Sequence, residues 1–321
     1  MCVWVLPALL GYFGTASGAG AVAAAGHKSA PPADHRALRA QAAQALILHA
    51  DADSLATAAA LSFKLPTSPS ALELAVSAAE AAPQNPAVGW LHLQLCVDTP
   101  PCNVRDAATV LRWVDADNGA SWLPILTAAV KDKDSMEVER VIGDMAQAPR
   151  FDLYWNELVV LMTDSLKNAR TSLPHGFAPS DAERFDLISG IVSEMVPAFS
   201  SLLDACRGAA AGTERRENCL KLSRTMQRGD TVVAQIAGFG IERRLIAPDS
   251  REARALAERR RALEWRTSAA AQFDAPVLPW LMNARARLRL AKMRTLPREE
   301  DVCIAILREH KISTAPTENH P

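Results

Sequence analysis

The residues best suited to chemistry are the cysteines, four of which form two close pairs in the sequence. Cys96 and Cys102 flank a proline-containing bend at residues 98–101, and Cys206 and Cys219 flank a second loop. The facing ends of a helix hairpin can bring two Cα atoms within the roughly 4.4–6.8 Å that a disulfide requires. The sequence therefore predicts two disulfides, each closing a helical hairpin.

Two other interpretations of these cysteines stay open. Buried free thiols are one, and metal or redox chemistry is the other, although redox-active pairs usually follow the C-x-x-C spacing. A metal site would combine His92 with Cys96 and Cys102, whereas a structural zinc ion needs four ligands. Cys303 lies on the apolar face of a helical segment, where we expect a buried thiol.

Catalytic motifs are absent from the sequence. The seven histidines include no pair at helical ligand spacing and no H-E-x-x-H, and no G-x-S-x-G elbow occurs. Asp115, Asp117 and Asn118 approach a calcium-loop pattern, but glycine comes one position too early for it. We expect a helix-capping turn there, and we expect no catalytic residue, cofactor or resident metal.

Composition and periodicity predict an all-α protein. The chain is 49% apolar and only 5% aromatic, and alanine-rich segments with helical spacing follow one another almost without a break. We expect stacked antiparallel helix hairpins over residues 26–172, a second helical region over 180–310 and a disordered tail over 311–321. The helices predicted in the second region cover residues 181–208, 214–228, 230–245, 249–272, 277–294 and 298–310.

Similar turns recur within residues 52–150 with a period of about 33 residues. The turns between units are residues 82–85 (APQN) and 115–118 (DADN), and Trp90 and Trp122 follow them. This pattern resembles tetratricopeptide-type repeats, which stack into an α-solenoid with a concave binding surface. The segment D-x-D-N-G-A-x-W-L is also similar to a turn of exported bacterial helical proteins, a resemblance that implies no known activity.

The N-terminal segment indicates export. Residues 3–13 are apolar, and small residues at 21–25 fit the rule for signal peptidase cleavage, although no basic residue precedes the apolar stretch. We expect a signal peptide over residues 1–25; a buried N-terminal helix and a retained anchor are the alternatives. No later segment is long and apolar enough to span a membrane. The predicted location is the periplasm or the cell exterior.

The charge of the chain is near neutral but unevenly distributed. A net charge of −1 gives no electrostatic case for nucleic-acid binding. Residues 1–202 carry about −8 and residues 203–321 about +7, which is typical of two halves that attract each other. In the basic half, Arg285 and Arg289 share one helix face and are candidates for contact with an acidic partner or with anionic lipid headgroups.

Three tryptophans complete the candidate partner-binding residues. Trp90, Trp122 and Trp155 stand at core spacing, where they would pack, but any of them on a concave face would anchor a partner. The leading functional hypothesis is non-catalytic binding of a protein or peptide partner in the cell envelope. Two alternatives are a hydrolase-type enzyme with a site near His175, at the seam between the helical regions, and a structural subunit of an envelope assembly.

Overall fold

The computed structural model describes residues 33–170, 172–173, 179–210, 212–273 and 278–316. Within these residues the chain forms fifteen α-helices and one 3₁₀-helix, and no strand. The prediction of an all-α fold is confirmed. The predicted signal peptide and His175 lie outside the described residues.

Eight helices make up the N-terminal part of the described chain. They are α1 Ala33–Ile47, α2 Ala52–Ser62, α3 Ala71–Ala81, α4 Pro86–Val97, α5 Val104–Val114, α6 Leu123–Lys131, α7 Ser135–Gln147 and α8 Trp155–Asn168, with the 3₁₀-helix Gly119–Trp122 before α6. Consecutive helices from α1 to α7 pack against one another. Tight loops between them are favoured because polar side chains cap the helix starts, as at Asp51, Ser70, Asn85, Asn103 and Asp134.

Seven helices follow: α9 Asp181–Glu194, α10 Ser200–Arg207, α11 Glu214–Met226, α12 Val232–Leu245, α13 Arg251–Phe273, α14 Pro279–Met293 and α15 Glu299–Glu309. They agree with the predicted segments except that residues 181–208 form two helices rather than one. Pro197 explains the break, because proline lacks a backbone N–H and disfavours a helical conformation in the residue before it.

Helices that are distant in sequence also pack together. α2 contacts α8 and α9, α6 contacts α10, and α7 contacts α11. The main hydrophobic core extends from Ala42 in α1 to Ile306 in α15. Ion pairs between the acidic and basic parts of the sequence accompany this packing, namely Arg215–Glu139 (2.6 Å), Arg287–Asp181 (3.4 Å) and Arg294–Asp164 (2.5 Å).

The cysteines lie in the predicted pairs. The Cα atoms of Cys96 and Cys102 are 5.3 Å apart and those of Cys206 and Cys219 are 5.8 Å apart, and the sulfur atoms of each pair are at bonding distance. The first disulfide closes the bend between α4 and α5, and the second closes the loop between α10 and α11. Cys303 in α15 is buried and belongs to neither pair.

Part of the tail predicted to be disordered is described, up to Pro316. The Trp265 side chain in α13 donates a hydrogen bond to the carbonyl of Ser313 (3.0 Å), and Arg266 donates to the carbonyl of Thr314 (3.0 Å). These contacts hold residues 313 and 314 against α13.

A polar cluster, buried except for the half-exposed Arg150, fixes the segment that leads into α8. We call it the polar clamp, and it consists of Asp115, Asn118, Arg150, Tyr154 and Asp230. The Asn118 side-chain amide donates to the Asp152 carbonyl (2.9 Å) and the Tyr154 hydroxyl (3.3 Å). Its oxygen accepts from the backbone N–H groups of Asp152 (2.9 Å) and Ala120 (3.1 Å). Asn118 therefore caps the 3₁₀-helix, as expected for this turn, and also binds the segment before α8.

The carboxylate of Asp115 completes this side of the clamp. It is buried, forms an ion pair with Arg150 and accepts a hydrogen bond from the Tyr154 hydroxyl. A buried carboxylate is tolerated when a charged partner and hydrogen bonds replace its lost hydration. The turn at residues 115–118 thus has a structural role, because it binds the segment before α8.

Asp230 holds the same segment from the opposite side. Its buried carboxylate accepts hydrogen bonds from the backbone N–H groups of Leu153 (2.8 Å) and Trp155 (3.3 Å). Burial raises the pKa of Asp230 well above its ordinary value, the neighbouring Asp152 adds to that effect, and the two N–H donors only partly oppose it. Tyr154, between the two donors, adopts a left-handed conformation with φ 58° at the start of α8.

Candidate binding groove

An open cavity of about 740 Å³ lies beside α8. Its volume is within the range of about 300–1,000 Å³ that is common for ligand sites. Besides one face of α8, its walls are the loop and first turn of α2, the turn at residues 293–297 after α14, and Asn85. We call this cavity the acidic groove, because its lining includes the carboxylates of Asp51, Asp53, Glu157 and Asp164.

α8 presents a regular stripe to the acidic groove. The stripe consists of Glu157, Val160, Leu161, Asp164, Ser165 and Asn168, and Ala169 continues it just past the end of the helix. Residues spaced three and four apart share one face of a helix. The stripe therefore runs along most of α8 and directs two carboxylates and a serine hydroxyl towards the same side.

The two aspartates at the start of α2 have different roles. Asp51 is the N-cap and accepts hydrogen bonds from the backbone N–H (2.9 Å) and the hydroxyl (2.7 Å) of Ser54. Burial tends to raise the pKa of Asp51, but these hydrogen bonds outweigh it and lower the pKa. Asp53 follows in the first turn, and no other described residue donates a hydrogen bond to its carboxylate.

Two carboxyl groups of the groove have raised pKa values. Burial raises the pKa of Asp53, and the nearby Asp51 and Asp164 add to the effect. Burial also raises the pKa of Glu157; its own backbone N–H opposes this, and Asp152 reinforces it. The Glu157 side chain is nevertheless accessible from the groove.

The turn at residues 293–297 is anchored to α8 at two points. Arg294 forms an ion pair with Asp164 (2.5 Å). The Asn156 side-chain amide donates to the carbonyls of Leu296 (2.8 Å) and Pro297 (3.1 Å). These contacts join the wall to the helix, so the groove is preformed.

Besides the exposed amide of Asn168, three acceptors of the groove have no donor from another described residue. Two are the carboxylates of Asp53 and Glu157. The third is the Oγ of Ser165, a residue that is 6% exposed and lies on the α8 stripe between the two ends of the groove. Burial of a polar group is unfavourable unless it is hydrogen-bonded. Four hydroxyls outside the groove lack a partner among the described residues as well, those of Ser62, Thr67, Thr163 and Ser189, but Ser165 is the one that lines the cavity. This combination favours a ligand that brings hydrogen-bond donors.

The three tryptophans named from the sequence do not line the acidic groove. Trp90 is 2% exposed and packs against Tyr154, with 6.4 Å between the two ring centroids. Trp155 is half-buried and shares a small crevice with Trp90. Trp122 is half-buried beneath two guanidinium groups, with Arg112 at 3.9 Å and Arg140 at 5.2 Å from its ring. Because Trp90 is buried, it packs in the core rather than contacting a partner, and its spacing in the sequence is compatible with that role.

The two arginines named from the sequence lie in α14, and they differ in how much of each side chain solvent can reach. Arg289 is 4% exposed, so its guanidinium is inside the protein. Arg285 is half-buried and stacks on the Phe273 ring at 4.3 Å. Lys292 on the same face pairs with Glu309 (2.7 Å). Intramolecular contacts therefore occupy much of the basic face of this helix.

Sequence reasoning did not identify the acidic groove. Its carboxylates come from α2 and α8, which are about a hundred residues apart in the chain. The available signal was the presence of Glu157 and Asp164 two turns apart in one helix, because that spacing places both on one face.

Among the described residues, no helix combines the length and the apolar character needed to cross a membrane. The same part of the chain includes no group of three or more His, Cys, Asp or Glu side chains placed to hold a metal ion. Comparison of the chain with family models, curated proteins and solved structures finds no match.

Proposed function

We propose that this chain is a non-catalytic binding protein that holds a segment of a protein or peptide partner in the acidic groove. The observation that carries the proposal is a preformed cavity of about 740 Å³ whose lining includes acceptors without donors. Asp51 and Asp164 have structural partners, whereas Asp53 and Glu157 have none from another described residue. Side chains that a fold does not use for its own stability are the ones available for recognition.

We also propose that the protein works in the periplasm or outside the cell. Disulfides persist in oxidising compartments and are rare in the cytosol, and two cysteine pairs lie at disulfide distance. A signal peptide over residues 1–25 would deliver the chain there. Tetratricopeptide-like repeats over residues 52–150 remain part of the proposal. The side chains of Asn85 and Asn118, which stand at equivalent places in the two turns, cap the helices that follow.

A photo-crosslinking experiment tests the binding proposal. Benzoylphenylalanine is introduced at Thr295, on the groove wall, or at Thr127, an exposed position in α6, and the protein is irradiated in the envelope fraction of the cells that produce it. We expect a discrete protein adduct from position 295 and none from position 127. No adduct, or the same adducts from both positions, would contradict groove binding.

An enzyme remains the second candidate, because raised carboxyl pKa values in a cavity also occur in catalytic acids and bases. Asp53 and Glu157 have such values. Hydrolysis of chromogenic esters, glycosides and peptides by the wild type but not by Glu157→Gln would favour this candidate. The binding proposal predicts no turnover by either protein.

A further inference from the structure

We infer that the group recognised in the acidic groove is a cationic side chain of the partner peptide, a lysine or an arginine. This inference rests on the proposed function, because it names the chemistry of the segment bound there. The charge of the lining gives the first argument. Four carboxylates face the cavity, while its basic side chains are Arg294 and His49, and Arg294 is already paired with Asp164.

The hydrogen-bonding inventory gives the second and independent argument. The Oγ of Ser165 is buried and has no partner among the described residues, and helix geometry directs this residue to the groove face of α8. A lysine ammonium carries three N–H donors and no acceptor, and an arginine guanidinium carries five donors and no acceptor. Such groups match the carboxylates of Asp53 and Glu157 and this hydroxyl, which lie in the same groove as the exposed amide of Asn168.

The raised carboxyl pKa values fit the same assignment. Burial makes the ionised forms of Asp53 and Glu157 less favourable in the empty groove. A bound cation favours the ionised forms and so lowers both pKa values. When the cation binds, Asp53 and Glu157 should therefore release protons. The affinity should fall as acid protonates these two carboxylates.

Fluorescence anisotropy with two labelled peptides tests the inference. One peptide carries three lysines between serine and glycine residues, and the other carries acetyl-lysine at the same positions, which keeps the four-methylene stem of the side chain, adds an acetyl group and removes the charge. At 50 mM salt we expect the lysine peptide to bind about tenfold or more tightly than the acetylated one. We expect its affinity to fall at 500 mM salt, and on acidification from pH 7.5 to 4.5.

Two charge-matched double variants separate the groove from the overall charge of the protein. Asp53→Asn/Glu157→Gln should weaken binding of the lysine peptide about tenfold. Asp132→Asn/Glu258→Gln removes two exposed carboxylates outside the groove and should change the affinity less than twofold. Equal weakening by both variants would show a general charge effect and would overturn the inference.

A third variant should act in the opposite direction. Arg294→Gln releases Asp164 from its ion pair and makes the groove more negative, so we expect the lysine peptide to bind several-fold more tightly. A variant that had merely lost its fold could not bind better.

The outcomes also separate this inference from the proposed function. Equal affinity for the lysine and acetyl-lysine peptides, or no binding of the lysine peptide, would overturn the cationic assignment. A crosslinked partner at position 295 together with that result would leave groove binding intact. Absence of any crosslinked partner would remove the proposed function itself.

Discussion

The polar clamp and the acidic groove lie at the same helix, α8, and both are rich in carboxylates, yet they use them differently. In the clamp, Asp115 and Asp230 are buried, and each is bound by a cation, a hydroxyl or backbone N–H groups. In the groove, Asp53 and Glu157 are accessible and receive no hydrogen bond from another described residue.

The difference follows from the energetics of polar burial. A buried donor or acceptor without a partner costs about 1–3 kcal/mol, so an interior cluster survives only when its members satisfy one another. The carboxylates of Asp53 and Glu157, at the wall of an open cavity, keep contact with water and are free of that requirement. We therefore expect the clamp to determine stability and the groove to determine binding, and substitutions should separate the two.

The largest effect on stability is expected from Asn118→Ala. The change removes four hydrogen bonds and leaves backbone groups of Asp152 and Ala120 without their side-chain partner. We expect a loss of about 3 kcal/mol in the free energy of unfolding, measured by urea denaturation. The matched change in the groove, Asn168→Ala, should shift it by less than about 0.5 kcal/mol. Equal losses would mean that the clamp has no special structural role.

A smaller loss is expected from Gly229→Ala, next to the clamp. A Cβ atom there would lie 2.6 Å from the carbonyl oxygen of Phe151 and 3.0 Å from that of Met226, so backbone would have to move. We expect a destabilisation of about 2 kcal/mol. Gly190→Ala in α9 meets no atom within 4 Å and should stabilise the protein by about 0.5–1 kcal/mol through helix propensity. Thermal unfolding of both variants checks this pair.

The pH dependence of stability distinguishes Asp230 from a carboxylate with a cationic partner. Its pKa in the folded protein lies above the unfolded value of about 3.9. The stability that it contributes is therefore fully present below that value and is lost as pH rises through the folded pKa. The stability advantage of the wild type over Asp230→Asn should shrink with rising pH, by about 1.4 kcal/mol for each unit between the two pKa values. A constant difference from pH 4 to 9 would contradict this.

Local features of the fold could be predicted from the sequence. The disulfides follow from cysteine spacing around two helix hairpins, and most helix boundaries follow from capping residues and prolines. The break at Pro197 was missed although its signal is local, because the flanking residues keep helical spacing. The spacing of Asp115, Asp117 and Asn118 before a glycine predicted a capping turn, but not the contacts of Asn118 with Asp152 and Tyr154.

The rest could not be predicted because it depends on residues far apart in the chain. Asp230 binds Leu153 over 77 residues and Asn156 binds Leu296 over 140 residues. Whether Trp90 or Arg289 is exposed is decided by helices from elsewhere in the sequence, and both are buried. The spacing of residues in a single sequence predicts which side chains share a helix face, but it does not predict which helix packs against that face.

The urea denaturation of Asp53→Asn/Glu157→Gln at pH 7 compares the two regions most directly. Burial disfavours the ionised forms of both residues, so we expect their neutral replacements to leave the free energy of unfolding within about 0.5 kcal/mol of the wild type or above it. A loss close to the roughly 3 kcal/mol expected for Asn118→Ala would contradict the account, since the groove carboxylates would then support the fold rather than a ligand.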